Sequence, residues 1–312
     1  MRVWNSLRRV SEFLALRRNT SLLLIALLLA GTGERLWLGF APKYIETLGG
    51  SILIIGLFDA LQTFLGAIYA YPGGWLTDRW GQRKSLLLFS AISIAGYVLV
   101  LVWQNWLALL LGSFLFLAWS AMSLPATFSV IATSLQSHRH TMGVGVQSMI
   151  RRVPMMLGPL IGGWLLTRFG WTDGVRYALA LCIAMSLLTA AFQWFMFEPE
   201  VGRADLPFGQ AAQQRGPTFF GVIKSFTPGL KELLVSDILI RFCERIPYAF
   251  IILWAMDSGG VTAQQFGYLF AFEMATAMLC YLPVEHLADK YGRRPFVLIT
   301  FVFFTLFPVT LL

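Results

Sequence analysis

The sequence predicts an all-α polytopic membrane protein, and three observations carry the prediction. Of its 312 residues 57% are hydrophobic and 13% charged, where a soluble domain holds about 45 to 50% and about 25%. The apolar residues gather into nine continuous runs of roughly 20 residues, the length that crosses a bilayer as a helix. They do not alternate with polar residues, so barrel strands are excluded. The third observation is that the basic residues collect between the runs on one side only. The 24 Lys+Arg against 16 Asp+Glu, a net charge of +8, therefore mark membrane topology rather than a nucleic-acid partner, and a chain this apolar is not disordered.

Residues 2–18 form a leader with Val3, Leu7, Val10 and Leu14 at helical spacing among five arginines. This suits an amphipathic helix on an anionic leaflet, with a solvated leader as the alternative. The run Leu22 to Ala30 behind Arg17 and Arg18 has the look of a secretory signal. Its apolar character continues past Glu34 to about Tyr44, so it is expected to stay as the first span. The nine spans are read at 21–45, 52–76, 84–103, 106–128, 142–167, 175–197, 233–256, 262–283 and 295–312. Six make an N-terminal bundle over 1–197. The polar stretch 198–232, with Pro199, Pro207, Pro217 and Pro228, reads as a cytoplasmic linker. Residues 233–312 then supply three helices of a second bundle.

Sixteen basic residues fall in the leader, the second-to-third, fourth-to-fifth and eighth-to-ninth turns and the linker, against Lys43, Arg168 and Arg176 opposite. That asymmetry sets the N-terminus in the cytoplasm. Cys182, Cys243 and Cys280 stand singly in apolar segments, so buried free thiols are expected rather than a disulfide or zinc site. His138, His140 and His286 fall in turns, which excludes an imidazole relay across the membrane.

The first two spans recur as the seventh and eighth. Glu34-Arg35 and Gly49-Gly50 return as Glu244-Arg245 and Gly259-Gly260 at a spacing of 210. After a one-residue insertion Gly56, Pro72, Leu76, Asp78, Gly81 and Arg83 return at 211 as Gly267, Pro283, Leu287, Asp289, Gly292 and Arg294. With six spans between them the two copies enter from the same side, as parallel repeats about an axis along the membrane normal.

The loop Gly74-Trp-Leu76-Thr-Asp78-Arg79-Trp-Gly81-Gln82-Arg83-Lys84 resembles the G-x-L-x-D-R-x-G-R-[RK] pattern that the major facilitator superfamily carries after its second helix. Gln82 replaces one arginine. The second copy, with Asp289, Lys290, Gly292, Arg293 and Arg294, keeps that arginine but has Glu285 for the first glycine. The fifth span is similar to the family's antiporter-associated G-x8-G-x3-G-P-x2-G-G through Gly145, Pro154, Gly158, Pro159, Gly162 and Gly163, with Pro154 for the middle glycine; these residues would bend the helix and admit a close neighbour. Ser113 stands where the family has an arginine in its fourth helix. The resemblance implies an MFS-like fold of two pseudo-symmetric six-helix bundles. About three helices of the second are then missing, so the sequence is expected to be a fragment, the alternative being a shortened protein that needs a partner.

The resemblance implies a cytoplasmic gate in which Asp78 accepts hydrogen bonds from the opposite half while Arg79 and Arg83 pair with carboxylates. Ionisable groups within spans cost at least about 2.5 to 3.5 kcal/mol and ordinarily face a cavity or a partner. Glu34, Arg35, Asp59, Arg151, Arg152, Glu244, Arg245 and Glu273 are therefore the candidates for a substrate or proton pathway, with Glu34 or Glu244 as proton carrier and a fixed ion pair as the bland alternative. No phosphate-binding G-x-x-x-x-G-K-[ST] occurs, no catalytic cluster is found, and no metal or other cofactor is expected. The expected function is a secondary transporter in the cell membrane, its partners a small-molecule substrate, the lipid bilayer and a coupling ion taken to be H+. A proton-coupled efflux antiporter leads on the fifth-span motif. A symporter or uniporter for uptake of a polar metabolite is the alternative, and a transport-inactive sensor or partner subunit a distant one. Substrate identity and oligomeric state are not encoded legibly.

Overall fold

A computed structural model describes residues 18–134, 140–195, 226–292, 294–306 and 309. The expected leader, most of the linker, His138 and Arg293 lie outside them. The described residues form helices and turns: α1 Arg18–Leu38, α2 Ala41–Thr47, α3 Ile52–Trp80, α4 Gln82–Val102, α5 Trp106–Ser134, α6 His140–Trp194, α7 Pro228–Asp257, α8 Ala263–Tyr291 and α9 Arg294–Leu306. They belong to two compact units, Met1–Glu198 with Ile252–Met278 and Pro199–Ile251 with Leu279–Leu312. Five stretches are long and apolar enough to cross a membrane, Ser21–Thr47, Ile52–Thr77, Gln82–Val102, Trp106–Ser123 and Arg152–Trp194. The last has 43 residues and serves as two spans.

The expected single span 21–45 is divided. Pro42 in the first turn of α2 has no N–H to return to the Leu38 carbonyl, so α1 stops there and a new helix starts. Phe40 carries the chain across, donating to the Trp37 carbonyl and accepting from Tyr44 N–H at 2.9 and 3.0 Å. The fifth and sixth expected spans are the two limbs of α6, and the chain turns between them at Gly170, whose φ of 78° is the left-handed region open to glycine. Helix α7 starts at Pro228, earlier than the expected 233, with proline again in a first turn.

The core of the first unit forms where α1, α4 and α5 meet, on Leu23, Leu24, Leu27, Leu86, Phe89 and Trp119. Toward the α2 end Trp37 packs edge-on to Phe116 with centroids 5.1 Å apart, and Tyr97 stacks on the same ring at 5.8 Å. Glycines let these helices close: a methyl at Gly96 would meet the Phe116 backbone and one at Gly73 the Met122 backbone. One expectation is corrected. Cys182 is buried, but Cys243 and Cys280 are exposed, because no described helix covers those faces of α7 and α8.

The repeat is visible in local geometry. Helices α3 and α8 have 29 residues each, carry Pro72 and Pro283 inside, and end at Gly81 and Gly292 with φ of 87° and 84°. The inserted residue of the second copy is taken up in the preceding turn. Leu48 N–H returns to Tyr44 and Ser258 N–H to Trp254, four residues back in each copy. Beyond them Gly50 N–H reaches Ile45, whereas Val261 N–H must reach Ala255.

Candidate functional site

The polar residues of the first unit converge where α1 crosses α6. A methyl at Gly158 would overlap the Arg35 side chain and backbone, and one at Gly162 the Leu36 carbonyl. Two further glycines on α1 face α6 as well: Gly31 lies on Pro154 and Gly33 on the Cys182 backbone. The crossing fixes the rotation of α1, so Glu34 is turned inward at 7% exposed. There it lies within electrostatic reach of Tyr97 on α4 and of Cys182 on the second limb of α6. Arg35, next along the helix, points elsewhere and is half-buried. Spacing alone left open which of the two faces the interior; the glycine crossing decides it.

The adjacent face of the same α6 segment, one residue round the helix, receives the start of α8. A methyl at Gly163 would overlap the Ala263 carbonyl, and one at Gly267 the Pro159 carbonyl. Gln264 N–H donates to Thr167 Oγ1 at 3.0 Å, and Phe40 meets Phe266 at 6.2 Å. Beside these contacts Lys43 Nζ pairs with Asp257 at the end of α7 and with Glu46 at 2.7 Å. The fifth-span residues Pro154, Gly158, Pro159, Gly162 and Gly163 are thus points of close approach on two faces. Gly145 lies further toward the start of α6, and the non-helical torsion of α6 falls at Gly170.

In the loop expected to form the cytoplasmic gate, Gly81 caps both α3 and α4. Gly74 is half-buried and Lys84 exposed. Arg79 lies over the Trp75 ring at 5.1 Å and Arg83 over Trp194 at 5.0 Å, cation–π contacts of the kind an interface favours. The side chains of Asp78, Asp289, Lys290 and Arg294 lie outside the described residues, as do those of Arg151 and Glu244. Asp59 and Arg152 are half-buried. Glu273 is exposed, and Arg245 lies exposed over Tyr248 at 5.2 Å. Arg241 pairs with Asp237 one turn back at 2.8 Å. No group of three or more His, Cys, Asp or Glu able to hold a metal ion occurs among the described residues.

Sequence reasoning missed the Lys43–Asp257 pair, whose partners are 214 residues apart. It also missed Gly31 and Gly33, although glycines within an apolar helix that already carries an acid were a usable signal.

A family model described as Major Facilitator Superfamily matches residues 23–256. The chain is 31% identical over 260 residues to multidrug resistance protein MdtG of Serratia proteamaculans, covering 78% of this chain and 58% of that protein. It is 31% identical over 190 residues to MdtG of Enterobacter lignolyticus, 59% and 45% of the two chains. It is 24% identical over 299 residues to the multi-drug resistance efflux pump PmrA homolog of Lactococcus lactis, 92% and 70%. The chain spans about half the length of the MdtG relatives it matches. In fold it is similar to the crystal structure of a bacterial homolog of the human lysosomal transporter Spinster, in inward-facing and unoccupied conformation, with TM-score 0.72 and 20% identity over 89% of this chain and 64% of that one.

Proposed function

The chain belongs to the Major Facilitator Superfamily, and on that premise we propose that it works in a secondary transporter, a proton-coupled efflux antiporter that moves small amphipathic compounds by alternating access. Residues 1–197 are its six-helix N-terminal bundle, 198–232 a cytoplasmic linker and 233–312 the start of the second bundle, with the N-terminus in the cytoplasm. The observation that carries the reading is Glu34, a carboxyl 7% exposed at the middle of the apolar stretch Ser21–Thr47, on a helix held by glycine crossings. An acid at that depth is costly when charged and far less so when neutral. Movement of α1 against its neighbours therefore changes its affinity for a proton, which is what coupling requires. Relatives named as multidrug resistance and efflux proteins support the direction.

Two gates accompany the carrier. The cytoplasmic one is the loop of Gly74, Asp78, Arg79, Gly81, Arg83 and Lys84 with its twin at Asp289, Lys290, Gly292, Arg293 and Arg294. The outer one is the contact of α2 and α6 with the end of α7 and the start of α8, through Lys43–Asp257, Phe40–Phe266 and Gly163–Ala263. Arg35, Asp59, Arg151, Arg152, Glu244, Arg245 and Glu273 border the pathway.

Everted vesicles containing the full-length protein and loaded with acid are expected to accumulate ethidium, and Glu34→Gln vesicles are expected not to. Accumulation by Glu34→Gln that still follows the pH gradient as the wild type does would end the proposal for Glu34. Accumulation by the wild type under the opposite gradient would end the proposal of efflux by antiport.

A further inference from the structure

Arg35 carries a charge that nothing described around it answers. It lies near the middle of the apolar stretch Ser21–Thr47, too far from either end for its side chain to reach the headgroups by snorkelling. A guanidinium at that depth is kept where a carboxylate, a wet cavity or a ligand meets it. Other arginines of the chain show the ordinary solutions: Arg176 and Arg241 each pair with an aspartate, and Arg79, Arg83 and Arg245 each lie over a ring. Arg35 makes no hydrogen bond, ion pair or ring contact with any described residue. Glu34 beside it does not serve, because successive residues of a helix face different ways and Glu34 is turned into the core.

The surroundings hold the root of this side chain and leave its end open. Gly31 and Leu38 stand one turn before and one turn after Arg35 on the same face of α1. All three are half-buried, whereas Glu34, Leu36 and Trp37 are buried. The backbone of α6 closes one flank of that face: Gly31 lies on Pro154, and a methyl at Gly158 would overlap Arg35 at Cβ and at the backbone. Just beyond the end of α1, a Cβ at Gly39 would lie 4.0 Å from the Phe270 ring of α8. That ring is half-buried and packs edge-on to Phe266 with centroids 5.1 Å apart. A fixed cation with an open apolar surface one turn away matches one kind of molecule. The guanidinium offers parallel N–H donors to both oxygens of a carboxylate, and the apolar part of the same molecule covers Leu38 and Phe270.

We infer that Arg35 is a substrate-recognition group and that its ligand is an amphipathic organic anion, a carboxylate or like oxyanion on an apolar body. Binding places a counter-charge on a guanidinium that otherwise lacks one, which rewards such compounds over neutral ones of the same shape. Compounds without an anionic group, ethidium among them, enter without this contact and bind less tightly. The inference rests on the chain working in a small-molecule transporter and adds to that reading the chemistry of what is carried.

The test is equilibrium binding to full-length protein in lipid nanodiscs at neutral pH, read by dansyl fluorescence against empty nanodiscs. Dansylglycine and dansylamide are compared, which share the apolar body and differ in the carboxylate. The wild type is expected to prefer dansylglycine about tenfold, the scale of one charge-assisted contact. In Arg35→Gln the preference is expected to disappear, and in Arg35→Lys, which keeps the charge but not the fork, to fall to about threefold. Equal affinity of the wild type for the two probes would overturn the inference, as would a wild-type preference in Arg35→Gln. Should the melting curve show that Arg35→Gln does not fold, Arg35→Lys decides: a preference equal to that of the wild type would overturn the contact. No gradient is applied, so reversed or uncoupled accumulation in the vesicle experiment would end the antiport reading and leave this preference standing, while equal binding of the two probes would end this inference alone.

Discussion

The hairpin of α1 to α3 and its later twin of α7 and α8 match in register apart from one inserted residue, yet matching positions meet different surroundings. In the first copy the arginine of the Glu-Arg pair, Arg35, is half-buried where Gly158 of α6 approaches it, while its counterpart in the second, Arg245, is exposed and lies over Tyr248. The entry to α3 has Ser51 without a side-chain cap. At the matching entry to α8 the Thr262 hydroxyl accepts from Gln265 N–H at 3.3 Å while Gln265 Oε1 accepts from Thr262 N–H at 2.9 Å, a reciprocal capping box. What the copies keep is backbone geometry, the prolines and the left-handed glycines. What they exchange is side chains at contacts, and a repeat that must close against itself needs unlike partners there.

The largest expected effect separates the two faces of α6. Gly162→Leu drives a side chain into the Leu36 backbone and is expected to cost about 3 kcal/mol or more, as overpacking against backbone does, seen as a lowered unfolding temperature in detergent. Gly163→Ala, facing α8, is expected to slow transport more than it lowers that temperature if this contact is the proposed outer gate. Equal thermal losses at both would mean that α8 is locked onto α6.

Next come the twin glycines. Gly81→Ala and Gly292→Ala place a side chain at φ of 87° and 84°, and a Cβ at Gly292 would meet open space. Each is expected to lose about 1 to 3 kcal/mol from backbone strain alone, and by the same amount. Unequal losses would break the equivalence of the two gate loops. Smaller still, Thr262→Ala is expected to cost about 1 kcal/mol of helix stability and Ser51→Ala close to nothing, by the same melting measurement. The smallest is the Lys43–Asp257 pair. With the Asp257 side chain 51% exposed, a double-mutant cycle of Lys43→Met and Asp257→Asn is expected to return about 0.2 to 1 kcal/mol, shrinking in high salt.

Much of this was legible in the chain. Runs of crossing length, the repeat at 210 and 211, and the prolines and glycines of the α3–α4 turn are local properties, fixed by hydrophobic length and by which residues tolerate φ above zero. The break before Pro42 was also local and was passed over, because an apolar run hides a proline in a first turn. Arg35 was half legible: a charge within an apolar run could be read, but not that no described carboxylate meets it.

Sequence by itself determined where the apolar spans run and in what order, their doubling and the loops that cap them, since each depends on neighbours within a few residues. Only the tertiary structure decided that Glu34 rather than Arg35 turns inward and that Lys43 meets Asp257. Those depend on the rotation of one helix against another, which is set where glycines let backbones touch across long separations in the chain, and no period within a single helix encodes it.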